Sequence, residues 1–142
     1  MRLAAIDALL ARPFPGTASR DGLSGPTHLI ETLRETEDFW DDPFHVAATA
    51  ALTELEVELD ALAAALTVRW GEACDVDLWS HLRVSVEEGS HPPEPIDYLS
   101  QYATSLRVWT PPGSPRWIGL TIGQGDPELP LQLFAAVGTA SP

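Results

Sequence analysis

A leucine-rich stripe between residues 42 and 71 constrains the fold of this chain most. Its apolar residues follow one another at alternating steps of four and three, which places them along one side of an α-helix. They are Ala48, Leu52, Leu55, Leu59, Leu62 and Leu66. Asp42 is a favourable N-cap, Pro43 suits the first helical position and Gly71 suits the end. Because the stripe is short for a coiled coil, we predict that the helix packs against a sheet.

Acidic residues are concentrated in the same part of the chain. The net charge is −13, all eight basic residues are arginine, and residues 31–60 hold ten acidic residues and one arginine. Such a surface repels phosphate backbones, so we expect no nucleic-acid partner, whereas a basic protein would be attracted to it. Acid can also serve only to keep a small protein soluble. The residues predicted to form an acidic steering surface on the helix are Glu54, Glu56, Glu58 and Asp60.

Length and composition bound the class of protein. A chain of 142 residues that is 44% hydrophobic is sufficient for one domain with a core. No apolar run approaches the roughly 20 residues that a membrane-spanning helix needs. Asp7 interrupts the short apolar run at the N-terminus, which makes a poor signal peptide. The single cysteine, Cys74, excludes an internal disulfide and a cysteine-cluster metal site, so we expect a soluble, cytoplasmic protein.

The N-terminal region is predicted to form an arm outside the main domain. Residues 13–26 are rich in proline, glycine and serine, which is typical of a linker. Two short amphipathic helices are expected on either side of it, the second within residues 27–40. Their apolar positions are Leu3, Ile6, Leu9 and Leu10, followed by Leu29, Ile30, Leu33 and Phe39. We therefore assign residues 1–41 to the arm and residues 42–142 to an α+β domain.

Residues 75–88 alternate between two kinds of side chain, which is the pattern of a β-strand. Apolar or small residues occupy every second position from Val76 to Val86. At about 3.3 Å per residue an unbroken strand would reach about 40 Å, so we expect a bend or break near Ser80 or at its far end. The alternate positions of this strand, on the face away from the core, include Asp77, Trp79, His81 and Arg83.

A β-hairpin is predicted by the sequence TSLRVWTPPGSPRWIGLTIG, with its loop at residues 111–115. In the register that keeps the two faces of the hairpin distinct, Trp109 lies opposite Trp117 and Arg107 points to the same side. The segment LPLQLFAAV, residues 129–137, follows as a last strand.

These strands together place tryptophan and arginine side chains on the face of the sheet away from the helix. Both residue types are enriched at binding hot spots. Three interpretations stay open: a face that binds a partner, a face covered by residues 1–41, and a small-molecule site. The residues predicted to bind are Asp77, Trp79, His81, Arg83, Arg107, Trp109 and Trp117.

Candidate catalytic chemistry is limited to one group of side chains. Asp75 and Asp77 share a face of the predicted strand about 7 Å apart, and with His81 they offer ligands for a hard metal. A solvated strand edge carries the same pattern, so we assign no catalytic residue and expect no metal or other cofactor. Cys74 and His81 point to opposite faces of that strand, which argues against a thiol nucleophile. The sequence contains no nucleophile elbow, zinc motif or dinucleotide fingerprint.

Three segments carry a resemblance to known sequences. RWGEACDVDLW, PEPIDYL and RWIGLTIGQGDPELPLQLFAAV resemble a group of small acidic proteins of high-GC actinobacteria, over about residues 44–138. That group has no established activity, so the resemblance carries no catalytic residue over. The chain is also similar in type to bacterial immunity proteins, which are small, acidic α+β proteins without catalytic motifs. This second likeness implies a protein that binds and inhibits a partner.

The sequence as a whole predicts an α+β fold, with one long helix packed on a mainly antiparallel sheet of about four strands and a helical N-terminal arm. The predicted function is that of a non-enzymatic acidic domain that binds a basic protein, as an immunity-like inhibitor or adaptor. The alternative is a metal-dependent hydrolase that uses Asp75, Asp77 and His81.

Overall fold

The structure is a computed structural model that describes residues 2–139 and 141–142. Its helices are α1 (Leu3–Ala11), α2 (Val46–Trp70), α3 (Leu78–Glu88) and α4 (Ile96–Ser100). Its strands are β1 (Ser24–Gly25), β2 (His28–Glu35), β3 (Cys74–Asp77), β4 (Ser105–Trp109), β5 (Trp117–Gly123) and β6 (Gln132–Gly138). Within the described residues they form one six-stranded antiparallel sheet in the order β1-β2-β6-β5-β4-β3. The α+β class and the antiparallel sheet are confirmed, whereas the prediction of about four strands is wrong.

Both faces of the sheet are covered. On one face, α1 and α2 pack through a core that includes Leu9, Leu62 and Trp109. On the other face, Leu99 of α4 and Trp117 of β5 belong to a second core, which the start of α3 also joins. The central strands β5 and β6 are apolar along nearly their whole length because both of their sides are buried.

The long helix α2 is confirmed, although it begins later than expected. Pro43 opens a 3₁₀ turn, and Phe44 and His45 then adopt left-handed backbone angles, φ 60° and 56°, before the helix starts at Val46. The carboxylate of Asp42 still caps the helix, since it accepts hydrogen bonds from the backbone N–H groups that follow, at 2.8 and 2.9 Å. The predicted stripe faces the sheet, and its buried members are Leu55, Leu59, Leu62 and Leu66.

The predicted helical N-terminal arm is corrected in its second half. Helix α1 is present and buries Ile6 and Leu9. Residues 28–35 form strand β2 instead of a helix, and β2 pairs with β6 along its length. Leu29 enters the α2-side core while Ile30 enters the opposite core, and this two-sided burial stabilises a strand. Strands β1 and β2 are the two that the sequence did not predict, so the sheet joins residues from before and after residue 42.

The predicted strand over residues 75–88 is confirmed only for residues 75–77, and the break expected near Ser80 comes at Leu78, where helix α3 begins. Strand β3 ends at Asp77, whose side chain accepts hydrogen bonds from Ser80 N at 3.2 Å and Ser80 Oγ at 2.6 Å. These bonds make Asp77 the N-cap of α3, and the cap turns the chain from a strand into a helix. Helix α3 ends at Gly89, which has a left-handed φ of 65°.

The hairpin of β4 and β5 is confirmed, but its register differs by one residue from the predicted one. Trp109 pairs with Ile118 and Val108 with Gly119. Trp109 therefore lies on the α2 side of the sheet, whereas Trp117 lies on the opposite side. The predicted register kept aliphatic side chains on one face and tryptophan on the other, and that separation is absent because helices cover the sheet on both sides.

Candidate functional site

The aromatic face predicted from the sequence is not formed. Trp109 and Trp117 are 2% and 4% exposed and lie in opposite cores. Trp109 Nε1 also donates a hydrogen bond to Thr67 Oγ1 of α2 at 3.2 Å, so this side chain helps to hold the helix on the sheet. Trp79 and Arg83 are exposed on helix α3 instead of lying on a strand beside Trp109 and Trp117.

Asp75, Asp77 and His81 of the predicted metal-binding group line a common cavity, although Asp77 is engaged in a helix cap. Asp77 caps α3, and the hydrogen bonds from Ser80 lower the pKa of its carboxyl group. Asp75 lies opposite Arg107 in the β3–β4 pair, and His81 lies within the first turn of α3. Over residues 2–139 and 141–142, no group of three or more histidine, cysteine, aspartate or glutamate side chains is placed to hold a metal. The described helices include none that is long and apolar enough to cross a membrane.

The four predicted acidic residues of α2 have different surroundings. Glu58 accepts hydrogen bonds from Arg2 at 2.6 Å and Arg34 at 3.0 Å. Partial burial acts to raise the pKa of Glu58, but these two hydrogen bonds outweigh it and lower the pKa. Glu54 also contacts Arg34, at 3.2 Å, and Asp60 contacts Arg107 at 3.2 Å. Glu58 thus connects α2 to Arg2 and Arg34, while the other three carboxylates are exposed.

The face of α2 opposite the leucine stripe is apolar and exposed. Helical geometry places its members on a single line about 180° from the leucine stripe. Val46, Val57 and Val68 are 68%, 66% and 88% exposed. We call this set the outer stripe, and it consists of Val46, Ala50, Val57, Ala61, Ala64 and Val68. The outward face of a helix is ordinarily polar, so an apolar line there requires an explanation.

Carboxylates border the outer stripe on both sides. Glu54 and Glu58 follow one side, and Glu56 and Asp60 follow the other, as the helical spacing dictates. A groove beside the stripe is lined by Val57 and Ala61 and by the ion pairs of Arg34. Arg2 and Arg34 balance the charges of Glu54 and Glu58, so the net negative charge lies on the rim of Glu56 and Asp60. An apolar line beside such a rim is complementary to a helix that carries apolar and basic residues.

Two exposed aromatic side chains lie in the segment that precedes α2. Phe44 is 95% exposed, and Trp40 is 66% exposed. Their segment is fixed by the neighbouring Phe39, whose side chain is buried and whose N–H donates to the Glu128 carbonyl at 2.8 Å. We call the outer stripe together with Trp40 and Phe44 the α2 face.

A cavity of about 560 Å³ lies on the opposite flank of α2, between that helix and strands β4 and β5. Glu56, Asp60 and Arg107 contribute its charged groups. Its apolar wall includes Leu52, which is only partly covered although it belongs to the predicted leucine stripe. Since Glu56 and Asp60 also border the outer stripe, the cavity and the α2 face share a rim.

No protein-family model matches the chain, and neither a curated protein nor a solved structure is significantly similar to it. The candidate site therefore depends on the geometry alone. A signal for the α2 face is present in the sequence, because the outer stripe follows the same spacing as the leucines. What the sequence does not carry is the information that no other element covers it.

Proposed function

We propose that this protein is a non-enzymatic binding domain that docks a basic protein on its α2 face, as an inhibitor or adaptor of the immunity-like kind. The observation that carries the proposal is that exposed hydrophobic side chains and acidic residues are concentrated in nearly the same part of the chain. Six of the ten exposed large hydrophobic side chains in the described part of the chain lie within residues 40–68. The acidic residues are concentrated in residues 31–60, which is nearly the same part of the chain.

The two kinds of side chain have complementary roles in association. Exposed aromatic residues such as Trp40 and Phe44 are the type that anchors an interface, because burial in a partner removes a large apolar area from water. Exposed carboxylates raise the rate of encounter with a positively charged partner. Residues 40–68 contain both the exposed aromatic residues and the exposed carboxylates. The outer stripe adds an exposed apolar line along α2.

The proposal relocates the binding residues predicted from the sequence. The anchoring role passes from Trp109 and Trp117 to Trp40 and Phe44, because the first pair is buried in the fold. Steering passes to Glu54, Glu56 and Asp60, which are exposed, whereas Glu58 is partly buried and engaged by two arginines. Trp79, His81 and Arg83 lie on α3, outside the α2 face. Other positions on α3 serve as controls in the experiments.

Site-specific photo-crosslinking in the native host tests the proposal. A photoreactive amino acid at position 57 lies in the middle of the outer stripe, and the same group at position 86 lies on α3, where Val86 is 77% exposed. We expect a basic protein to be crosslinked from position 57 and not from position 86. Equal crosslinking from both positions, or capture only of acidic proteins from position 57, would count against the α2 face.

A further inference from the structure

The cavity beside α2 combines an aliphatic wall with charged groups at its opening. Leu52 and Leu59 come from α2, and Leu120 and Ile122 come from β5. Leu52 is 37% exposed, so part of this aliphatic surface is reached from solvent. The space of about 560 Å³ is large enough for a long side chain.

The charges at the opening do not balance. Asp60 and Arg107 form an ion pair at 3.2 Å, with their side chains 65% and 41% exposed. Such an exposed pair contributes little and is readily exchanged for another cation. Glu56 lies one helical turn before Asp60, and within the described residues it makes no ion pair. Two carboxylates thus face one guanidinium group, which leaves a net negative opening.

We propose that this cavity receives a lysine or arginine side chain of the basic partner. A long aliphatic stem with a terminal cation matches an aliphatic wall with an acidic opening. The incoming cation binds Glu56 and competes with Arg107 for Asp60. The inference rests on the proposed function, because Glu56 and Asp60 join the cavity to the α2 face and so connect it to a chain docked there.

The test uses NMR titration of the intact protein with a defined probe. The probe is a synthetic amphipathic helical peptide with leucine on one face and lysine on the other, and its control carries glutamine in place of lysine. We expect the lysine peptide to shift the methyl signals of Leu52 and Leu120 and the Nε–H signal of Arg107. The glutamine peptide should leave the Arg107 signal in place. An Arg107 signal that does not respond to the lysine peptide would overturn the inference.

Variants separate this inference from the proposed function. Glu56→Gln should weaken binding of the lysine peptide by about three- to fivefold, the range expected for one exposed charge pair. Glu87→Gln, the same change on exposed α3, should leave the affinity unchanged. Val57→Glu tests the α2 face itself and should weaken binding whether or not the cavity takes part. If Val57→Glu weakens binding and Glu56→Gln does not, the cavity inference fails while the proposed function stands.

A free amine distinguishes the source of the cation. Agmatine carries a guanidinium group on an aliphatic stem without a peptide. We expect it to shift the cavity signals only at concentrations far above those of the peptide, because it gains nothing from the outer stripe. If agmatine shifts them at the same concentration as the peptide, the cavity is a small-amine site and its assignment to a partner's side chain is overturned.

Discussion

The two faces of α2 carry apolar residues at the same spacing, but only one of them is inside the protein. Leu55, Leu62 and Leu66 on the inner face are 0% exposed, whereas Val57 and Val68 on the outer face are 66% and 88% exposed. The inner face uses leucine, which fills the space above a sheet. The outer face uses alanine and valine, which leave a flat surface that a second helix can approach closely. Periodicity thus finds both faces, and only the tertiary structure shows which of them is core.

Replacing tryptophans that differ in exposure gives the largest expected contrast in stability. Trp117→Ala should reduce the free energy of unfolding by about 3–5 kcal/mol, because Trp117 is 4% exposed and its removal leaves a cavity. Trp40→Ala should change it by less than about 0.5 kcal/mol, since Trp40 is 66% exposed. Chemical denaturation measures both values. Comparable losses at the two positions would contradict the assignment of Trp40 to a free surface.

The same contrast can be made within α2. Leu59→Ala should cost about 2–5 kcal/mol, because Leu59 is part of the α2-side core. Val57→Ala should stay within about 0.5 kcal/mol, and alanine has the higher helix propensity. Denaturant titrations of the two variants form a matched pair, since the positions are neighbours on one helix. Equal destabilisation would show that the inner and outer faces are assigned incorrectly.

Local signals explain which parts of the fold could be predicted. The helices α1 and α2 follow from periodicity within one segment, and Asp42 marks where the chain turns into α2. Strand β2 could not be recognised in this way, because Leu29, Ile30 and Leu33 fit a helical spacing as well as a strand. Its strand conformation comes from pairing with β6, which is distant in the sequence.

Two further differences have specific physical causes. The alternation in residues 75–88 predicts a strand, but the hydrogen bonds of Asp77 with Ser80 cap a helix instead. The hairpin register was inferred from a separation of aliphatic from aromatic side chains, and it shifts by one residue because helices bury both faces. The binding residues predicted from those two patterns therefore do not share one face: Trp79, His81 and Arg83 lie on α3, and Trp109 and Trp117 lie in opposite cores. The exposed positions of Glu54, Glu56 and Asp60 on α2 follow from helical periodicity, whereas the two ion pairs of Glu58 could not be predicted from it.

Acidification tests the start of α2, which positions the first residues of the outer stripe. The backbone hydrogen bonds from Ala47 and Ala48 lower the pKa of Asp42 below its usual value of 3.8. Ionised Asp42 therefore stabilises the fold above the unfolded-state pKa, and this stabilisation is lost as the pH falls through the lower folded-state pKa. We expect a smaller loss of melting temperature between about pH 5 and pH 2.5 for Asp42→Asn, which keeps an uncharged cap.

Asp38→Asn provides the control for the acidification experiment. Asp38 is exposed and makes no hydrogen bond to α2 within the described residues, so its variant should follow the wild-type curve. Identical curves for all three proteins would argue against capping of α2 by Asp42.

Binding kinetics with the partner crosslinked from position 57 test the central claim most directly. Val57→Glu and Val86→Glu place the same charge on the α2 face and on α3, and both positions are exposed, so both variants should fold. We predict that Val57→Glu shortens the lifetime of the complex by about tenfold or more, while Val86→Glu leaves it unchanged. Added salt should slow association with both variants and with the wild type. A Val57→Glu protein that is folded and dissociates at the wild-type rate would contradict the account.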